Sequence, residues 1–278
     1  MSMKVHGYSK EDLMNLDIAG LRAILHERTH HGIEVSLYRI LQGRMKKPEN
    51  YGAQAKLVLK VWKERDLPIN TPDLEWCIKY VKIADILNEG KTVTLDTCLA
   101  KPFTVEEMKV VEKLLYTRRS TRQFTDKPVT DELINKILYA GLMSPQGCNL
   151  DSRRFIIFRK PEEWKLVRSD IPLKNGVMIL ICQDMNVYNA LPHYKKAAPQ
   201  NIHFDAATAA DHICLMAHAL GLGAVWLTHG EETQKRVREY MGLPDTFLTR
   251  CHVVLGWPDE MPIKSKRMSL EEAMMKKK

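Results

Sequence analysis

Apolar positions spaced three and four apart dominate the first hundred residues. Leu13, Leu16, Ile18, Leu21 and Leu25 follow Ser9, a residue suited to cap a helix N-terminus. A second helical stretch is expected from about Ile33 to Leu41, ending near Gly43. A third begins near Pro48, carries Ala55, Leu57, Val58, Val61 and Trp62, and is stopped by Asp66-Leu67-Pro68. A fourth opens after Thr71-Pro72 and runs through Trp76, Ile78, Val81, Ile83, Ile86 and Leu87 to Asn88-Glu89-Gly90. No strand pattern intervenes. Residues 1–100 therefore read as a helical region, with Lys91 to Phe103 as a linker to a second unit, 101–278.

The pattern changes after Phe103. Thr104-Val105-Glu106-Glu107 is a capping box, followed by Met108, Val111, Leu114 and Leu115 at helical spacing. Another helix is expected from Thr130-Asp131-Glu132 to about Met143, then a Ser144-Pro145-Gln146-Gly147-Cys148-Asn149 loop. Strands are expected at Arg154–Phe158, at the continuous apolar run Val177–Cys182, at Ala224–Thr228 and at His252–Leu255. Helices are expected at about Phe204–Leu220 and Glu231–Met241, with a short one from Ser269. Helices alternating with four core strands indicate a layered α/β or α+β sandwich.

Composition changes this picture little. The 278 residues are 45% hydrophobic and 27% charged, ordinary for a globular protein. No apolar run approaches the ~20 residues that span a bilayer, and Met1 to Lys10 lacks the apolar core of a signal peptide, so a cytoplasmic location is expected. Cys77, Cys98, Cys148, Cys182, Cys214 and Cys251 form no C-x-x-C pair, which argues against a zinc ribbon, an iron–sulfur cluster or a disulfide framework. The net charge of +8 includes Lys276-Lys277-Lys278. The basic residues are not interleaved with aromatics in one tract, so an anionic small molecule accounts for them as well as nucleic acid does.

Candidate chemistry centres on Tyr116 to Phe124, Y-T-R-R-S-T-R-Q-F. Arg118, Arg119, Ser120 and Arg122 crowd three guanidiniums and a hydroxyl at a helix end. Such groups repel unless an anion sits among them, and the arginine fork matches phosphate oxygens. His26-Glu27-Arg28-Thr29-His30 matches H-E-x-x-H, the pattern of a zinc hydrolase. No third ligand is identifiable, and Gly32 suggests that the helix ends just after His31. Gly221-Leu222-Gly223 lacks the third glycine of a dinucleotide loop, and its element order is reversed. There is no P-loop and no G-x-S-x-G elbow.

Four separated features combine: R-R-S-T-R-Q-F at 118–124, the S-P-x-x-x-N loop ending at Asn149, the Ala217–Trp226 run with L-G-L-G-A-V-W, and Gly256-Trp257-Pro258 followed by Lys264-Ser265-Lys266-Arg267. In this order and spacing, residues of about 105–270 resemble the nitroreductase family of FMN-dependent oxidoreductases. The resemblance implies an α+β, three-layer sandwich with a mixed, mainly antiparallel sheet. It implies FMN, with Arg118, Arg119, Ser120 and Arg122 on its phosphate and ribityl chain and Lys264, Lys266 and Arg267 reaching the same phosphate. Asn149, assisted by Gln146, would meet the flavin pyrimidine edge. Trp226, Leu227, Thr228 and His229 would lie beside the isoalloxazine, with a backbone N–H of Thr228 or His229 at flavin N5. It also implies a homodimer with FMN at the interface, an NAD(P)H donor and an electron-poor organic acceptor (nitroaromatic, quinone, enone or haloaromatic). No membrane or nucleic-acid partner is expected. Arg153 stands where the family often has an aromatic, which predicts extra positive charge near the site. The other readings are a non-catalytic flavin-binding or sensor protein on the same fold, and the zinc hydrolase on His26, Glu27 and His30. Residues 1–100 resemble no family we know.

Overall fold

The computed structural model describes residues 3–95, 100–167 and 170–275. Cys98 and Lys276 to Lys278 lie outside the described residues.

The N-terminal region is helical, as its periodicity requires. Helix α1 spans Lys10–Asn15 behind a Ser9–Asp12 capping box, and α2 spans Ile18–Thr29 behind Asp17, whose carboxylate accepts the Gly20 N–H. The helix does not end at Gly32. A π-helical turn, His30–Glu34, carries α2 directly into α3, Val35–Leu41. Gly32 has a negative φ and open space where a Cβ would stand, so nothing local forces a stop. Helices α4, Ala53–Glu64, and α5, Pro72–Asn88, complete the region.

The second unit alternates helices and strands: α6, Val105–Thr117; α7, Asp131–Leu142; β1, Arg153–Phe158; α8, Pro161–Val167; β2, Val177–Asp184; α9, Met185–Ala190; α10, Pro192–Ala197; α11, Asn201–Ala219; β3, Gly223–Thr228; α12, Glu231–Met241; β4, Phe247–Gly256; and α13, Leu270–Ala273. The sheet has the order β1-β2-β4-β3, with every neighbouring pair antiparallel. The parallel element is an isolated bridge, Ser120 to Ala224. The sheet is sandwiched between helices. Val177, Ile179, Ile181, Val253 and Leu255 pack with α7 and α11 on one face. Met178, Leu180, Cys182, Val225 and Val254 pack with α8 and α12 on the other. Every residue of β2 is buried, which is why its sequence is a continuous apolar run.

A third core joins the two halves of the chain. Leu21, Ile24, Leu25, Val58, Trp62 and Leu74 pack in one cluster with Leu150, Met185, Val187, Tyr188, Leu191 and Ile202. Gly20 marks the closest approach of α2 to α9. A Cβ there would sit 2.8 Å from the Cβ of Ala190 and 2.9 Å from Oδ2 of Asp17, so only glycine fits. The helices α9 and α10, too short to show periodicity, thus form the shelf on which the N-terminal region rests.

Candidate flavin site

The Arg118–Phe124 segment leaves the C-terminus of α6 and runs along β3. The Thr121 N–H donates to the Ala224 carbonyl at 3.1 Å. Gly223 permits this contact, since a Cβ on it would stand 2.6 Å from Thr121 Cγ2. The same segment is zipped to the chain after β4: the Thr125 N–H donates to Trp257 O at 2.9 Å and the Asp259 N–H to Gln123 O at 2.9 Å. Glu260 accepts the N–H groups of Arg122 and Gln123. Lys127 lies 3.5 Å above the Trp257 ring. These bonds return the basic C-terminal stretch to the arginines.

The result is a cleft of about 390 Å³ lined by Arg118, Arg119, Ser120, Arg122, Lys264 and Arg267, with Leu115, Tyr116 and Pro262 at its margin. A smaller cleft of about 220 Å³ shares Arg118 and Arg119 and extends over Leu222, Gly223 and Ala224. Lys266 does not line the cleft; its carbonyl faces Arg267, and its neighbours on both sides line the wall instead. The Arg119 Nε is buried and has no hydrogen-bond partner. Four guanidiniums and the Lys264 ammonium around one cleft repel one another, and an anion there relieves that repulsion. This donor set fits a phosphate.

Strand β3 is the sheet edge nearest these arginines. The His229 N–H donates to Arg250 O at 3.0 Å. Thr228 pairs with Cys251 in the β3–β4 register. In an antiparallel ladder, alternate residues turn their backbone groups inward and outward. With His229 bonded inward, Thr228 and Trp226 point their N–H groups to the open edge. The His229 N–H is therefore engaged within the sheet, and that of Thr228 faces outward. Trp226 and Thr228 are exposed, whereas the Leu227 side chain packs into the α8/α12 core. The half-buried His229 ring pairs with the buried His252, 3.0 Å from Nδ1 to Nδ1, and lies 3.2 Å from Thr249 Oγ1. Burial pushes the His229 imidazole down to about 4 and that of His252 down to about 3.

Gln146 and Asn149 do not line either arginine cleft. They bond each other, Gln146 Nε2 donating to Asn149 Oδ1 at 3.2 Å, while Gln146 Oε1 accepts the Asp151 N–H at 3.0 Å. Cys148, Asn149 and Asp151 all have φ between 53° and 55°. Side chains rarely adopt this left-handed geometry without support. The support is Asp205, buried in α11, whose Oδ1 accepts the Gly147 N–H at 2.8 Å and whose Oδ2 accepts the Tyr188 hydroxyl at 3.0 Å. Burial raises the Asp205 carboxyl above its ordinary value.

Arg153 adds no charge to the site. It is 2% exposed, and its guanidinium donates to the carbonyls of Gly141, Leu142 and Ser144 at the end of α7. The Gly141 carbonyl also accepts the Ser144 N–H and hydroxyl, so the guanidinium completes the cap of α7. Neither Asp205 nor Arg153 has a motif. The only sequence signal is an acidic residue in the Ala- and Ile-rich face of α11 and an arginine opening an apolar strand.

The H-E-x-x-H pair does not converge. His26 Nε2 lies 2.8 Å from Asp73 Oδ2, and His30 Nδ1 lies 2.7 Å from Glu34 Oε2. Glu27 carries a two-toothed contact from Arg28. Asp211 and His212 do not pair either; His212 Nδ1 faces Ala140 O at 3.2 Å. His218 Nε2 meets Thr117 Oγ1 at 2.8 Å. No helix among the described residues is long and apolar enough to cross a membrane.

The sequence profile of the nitroreductase family matches residues 115–166 and 159–257. The chain belongs to the nitroreductase family. An Archaeoglobus fulgidus protein provisionally assigned as an NADH dehydrogenase/NAD(P)H nitroreductase is 33% identical over 150 residues, covering 53% of this chain and 85% of the relative. A Methanothermobacter thermautotrophicus protein of the same assignment is 29% identical over 196 residues, covering 68% and 91%. Among solved structures, a nitroreductase-assigned protein from Desulfovibrio desulfuricans, crystallised in complex with FMN, is 27% identical. It aligns with a TM-score of 0.51 over 60% of this chain and 96% of its own. The α+β sandwich seen here is thus the fold of this family.

Proposed function

We propose that this protein is an FMN-dependent oxidoreductase that takes electrons from NAD(P)H and delivers them to an electron-poor organic acceptor. The observation that carries the reading is the arginine cleft against the open edge of β3, where Arg118, Arg119, Ser120, Arg122, Lys264 and Arg267 converge. The FMN complex of the Desulfovibrio relative supports the choice of ligand. Bound FMN supplies the hydride and electron chemistry. Arg118, Arg119, Ser120, Arg122, Lys264 and Arg267 hold the phosphate end. The outward N–H of Thr228 is directed for a hydrogen bond to a flavin ring nitrogen. The positive wall favours an anionic cofactor form.

The cleft of one chain lacks the Gln146–Asn149 pair. A second copy completes it in our reading, with the flavin at the subunit interface and this loop covering its ring. The uncovered apolar surface of α6 supports the dimer: none of its residues is buried, and Val105, Met108, Val110, Leu115 and Tyr116 are exposed. Residues of the N-terminal region buttress the loop through Leu150 and Cys148, both packed on its core.

The visible spectrum of the purified protein tests the class. Flavin bands that bleach with NAD(P)H and return on adding an acceptor are expected. Bands that do not bleach would favour a non-catalytic flavin-binding protein, and a colourless protein that cannot be loaded with FMN would overturn the reading. Arg118→Ala is expected to weaken FMN binding by about 1.5–3 kcal/mol, the worth of a charged hydrogen bond.

A further inference from the structure

Glu27 lies where three segments distant in sequence meet. Its carboxylate, on α2, is fully buried. His6, from the N-terminal turn, places Nε2 at 2.6 Å from Glu27 Oε2. His193, on α10, stacks on His6 with ring centroids 4.7 Å apart. One ligand atom from each of His6, Glu27 and His193 lies within 4.8 Å of the others. Two imidazoles and one carboxylate are a donor set that borderline divalent ions favour.

The surroundings fit such a site. Tyr194 donates its hydroxyl to Glu27 Oε1 at 2.8 Å, His31 Nδ1 stands 3.0 Å from the same oxygen, and Arg28 spans both oxygens. Five polar atoms thus approach two oxygens that offer about four lone-pair sites. The carboxylate is oversupplied with donors. A cation between the two imidazoles accepts their lone pairs instead.

We propose that His6, Glu27 and His193 bind one zinc-class divalent ion, which fastens the N-terminal turn and α2 to α10. Glu27 ligates through Oε2, while Tyr194 and the Arg28 fork hold the carboxylate from outside, as outer partners of a ligating carboxylate do. The Arg28 charge opposes the ion and keeps its binding weaker than in thiolate sites. Three protein ligands leave one position of a tetrahedral ion for water, on the side of the exposed His193. The H-E-x-x-H motif contributes its glutamate but neither of its histidines. The site adjoins the flavin loop: Tyr194, next in sequence to His193, packs on the same core as Cys148, the neighbour of Asn149.

The test uses the full chain, freed of metal with a chelator and titrated with zinc chloride by calorimetry, alongside its melting temperature. One equivalent of zinc should bind and raise the melting temperature. His6→Ala and His193→Ala should each weaken binding on the order of 10–100-fold, whereas His30→Ala should bind as the unaltered protein does. Far-ultraviolet circular dichroism checks that each variant is folded. Absence of stoichiometric binding overturns the proposal. Binding that survives both substitutions, or that is lost in His30→Ala, does so equally. The measurement does not depend on flavin.

Discussion

Gly223 decides how closely the arginine segment can follow the sheet edge. A Cβ there meets the buried, hydrogen-bonded Thr121 at 2.6 Å, so the Arg119–Arg122 backbone must move. Gly223→Ala should weaken FMN binding on the order of tenfold, about 1.4 kcal/mol, readable as flavin lost on gel filtration; full retention would contradict the close-packing argument. Arg153 plays the opposite kind of part, buried outside both arginine clefts. Arg153→Leu should cost about 1–3 kcal/mol of stability, since it strands helix-end carbonyls, and chemical denaturation measures it. The two arginine environments show what was legible at this scale. The Arg118–Arg122 cluster announces itself because its charges are neighbours in sequence. Arg153 looks like site charge because its burial is set by α7, which no local pattern links to β1. For His229, too, ladder parity and not residue type decides which backbone N–H faces outward.

At the scale of elements, the His229–His252 pair binds the end of β3 to β4. His252 is 3% exposed. Both imidazoles titrate below an unfolded histidine, at about 4 and about 3 against 6.5. The unfolded chain therefore takes up more protons as pH falls through 6.5. The stability from the neutral pair is complete above that pH and is lost on acidification toward 4. Each histidine removes up to about 1.4 kcal/mol per pH unit in that window. Melting temperatures from pH 7.5 to 4.5 should fall steeply, and His252→Phe should flatten the curve; an unchanged slope would sink the account. Long elements were readable in sequence: the capping box at Thr104 and the apolar run of β2 mark α6 and the sheet centre. The π turn was not, because an inserted residue leaves hydrophobic spacing on either side intact. Nor were α9 and α10, each shorter than two helical turns.

For the whole molecule, the shared third core makes the N-terminal region part of the flavin domain's support. Residues 101–278 expressed alone would uncover Leu150, Met185, Tyr188 and Leu191. That fragment should be insoluble or melt far below the full chain; a soluble fragment that keeps FMN would refute the dependence. The dimer is testable on α6. Val110 is 67% exposed, and Val110→Asp should shift the protein to monomer in light scattering and release flavin with it. The sandwich was legible from alternation, and its cofactor from four ordered motifs. The partnership of the two halves was not, because it rests on contacts between residues more than 100 positions apart. That separation has a consequence during synthesis. The helices α1 to α5 leave the ribosome before α9 and α10 exist to cover them. At 5–20 residues per second, the 107 residues from 95 to 202 take roughly 5–20 s to make. For that interval α4 and α5 can already cover one side of α2, but the side that packs on α9 stays bare.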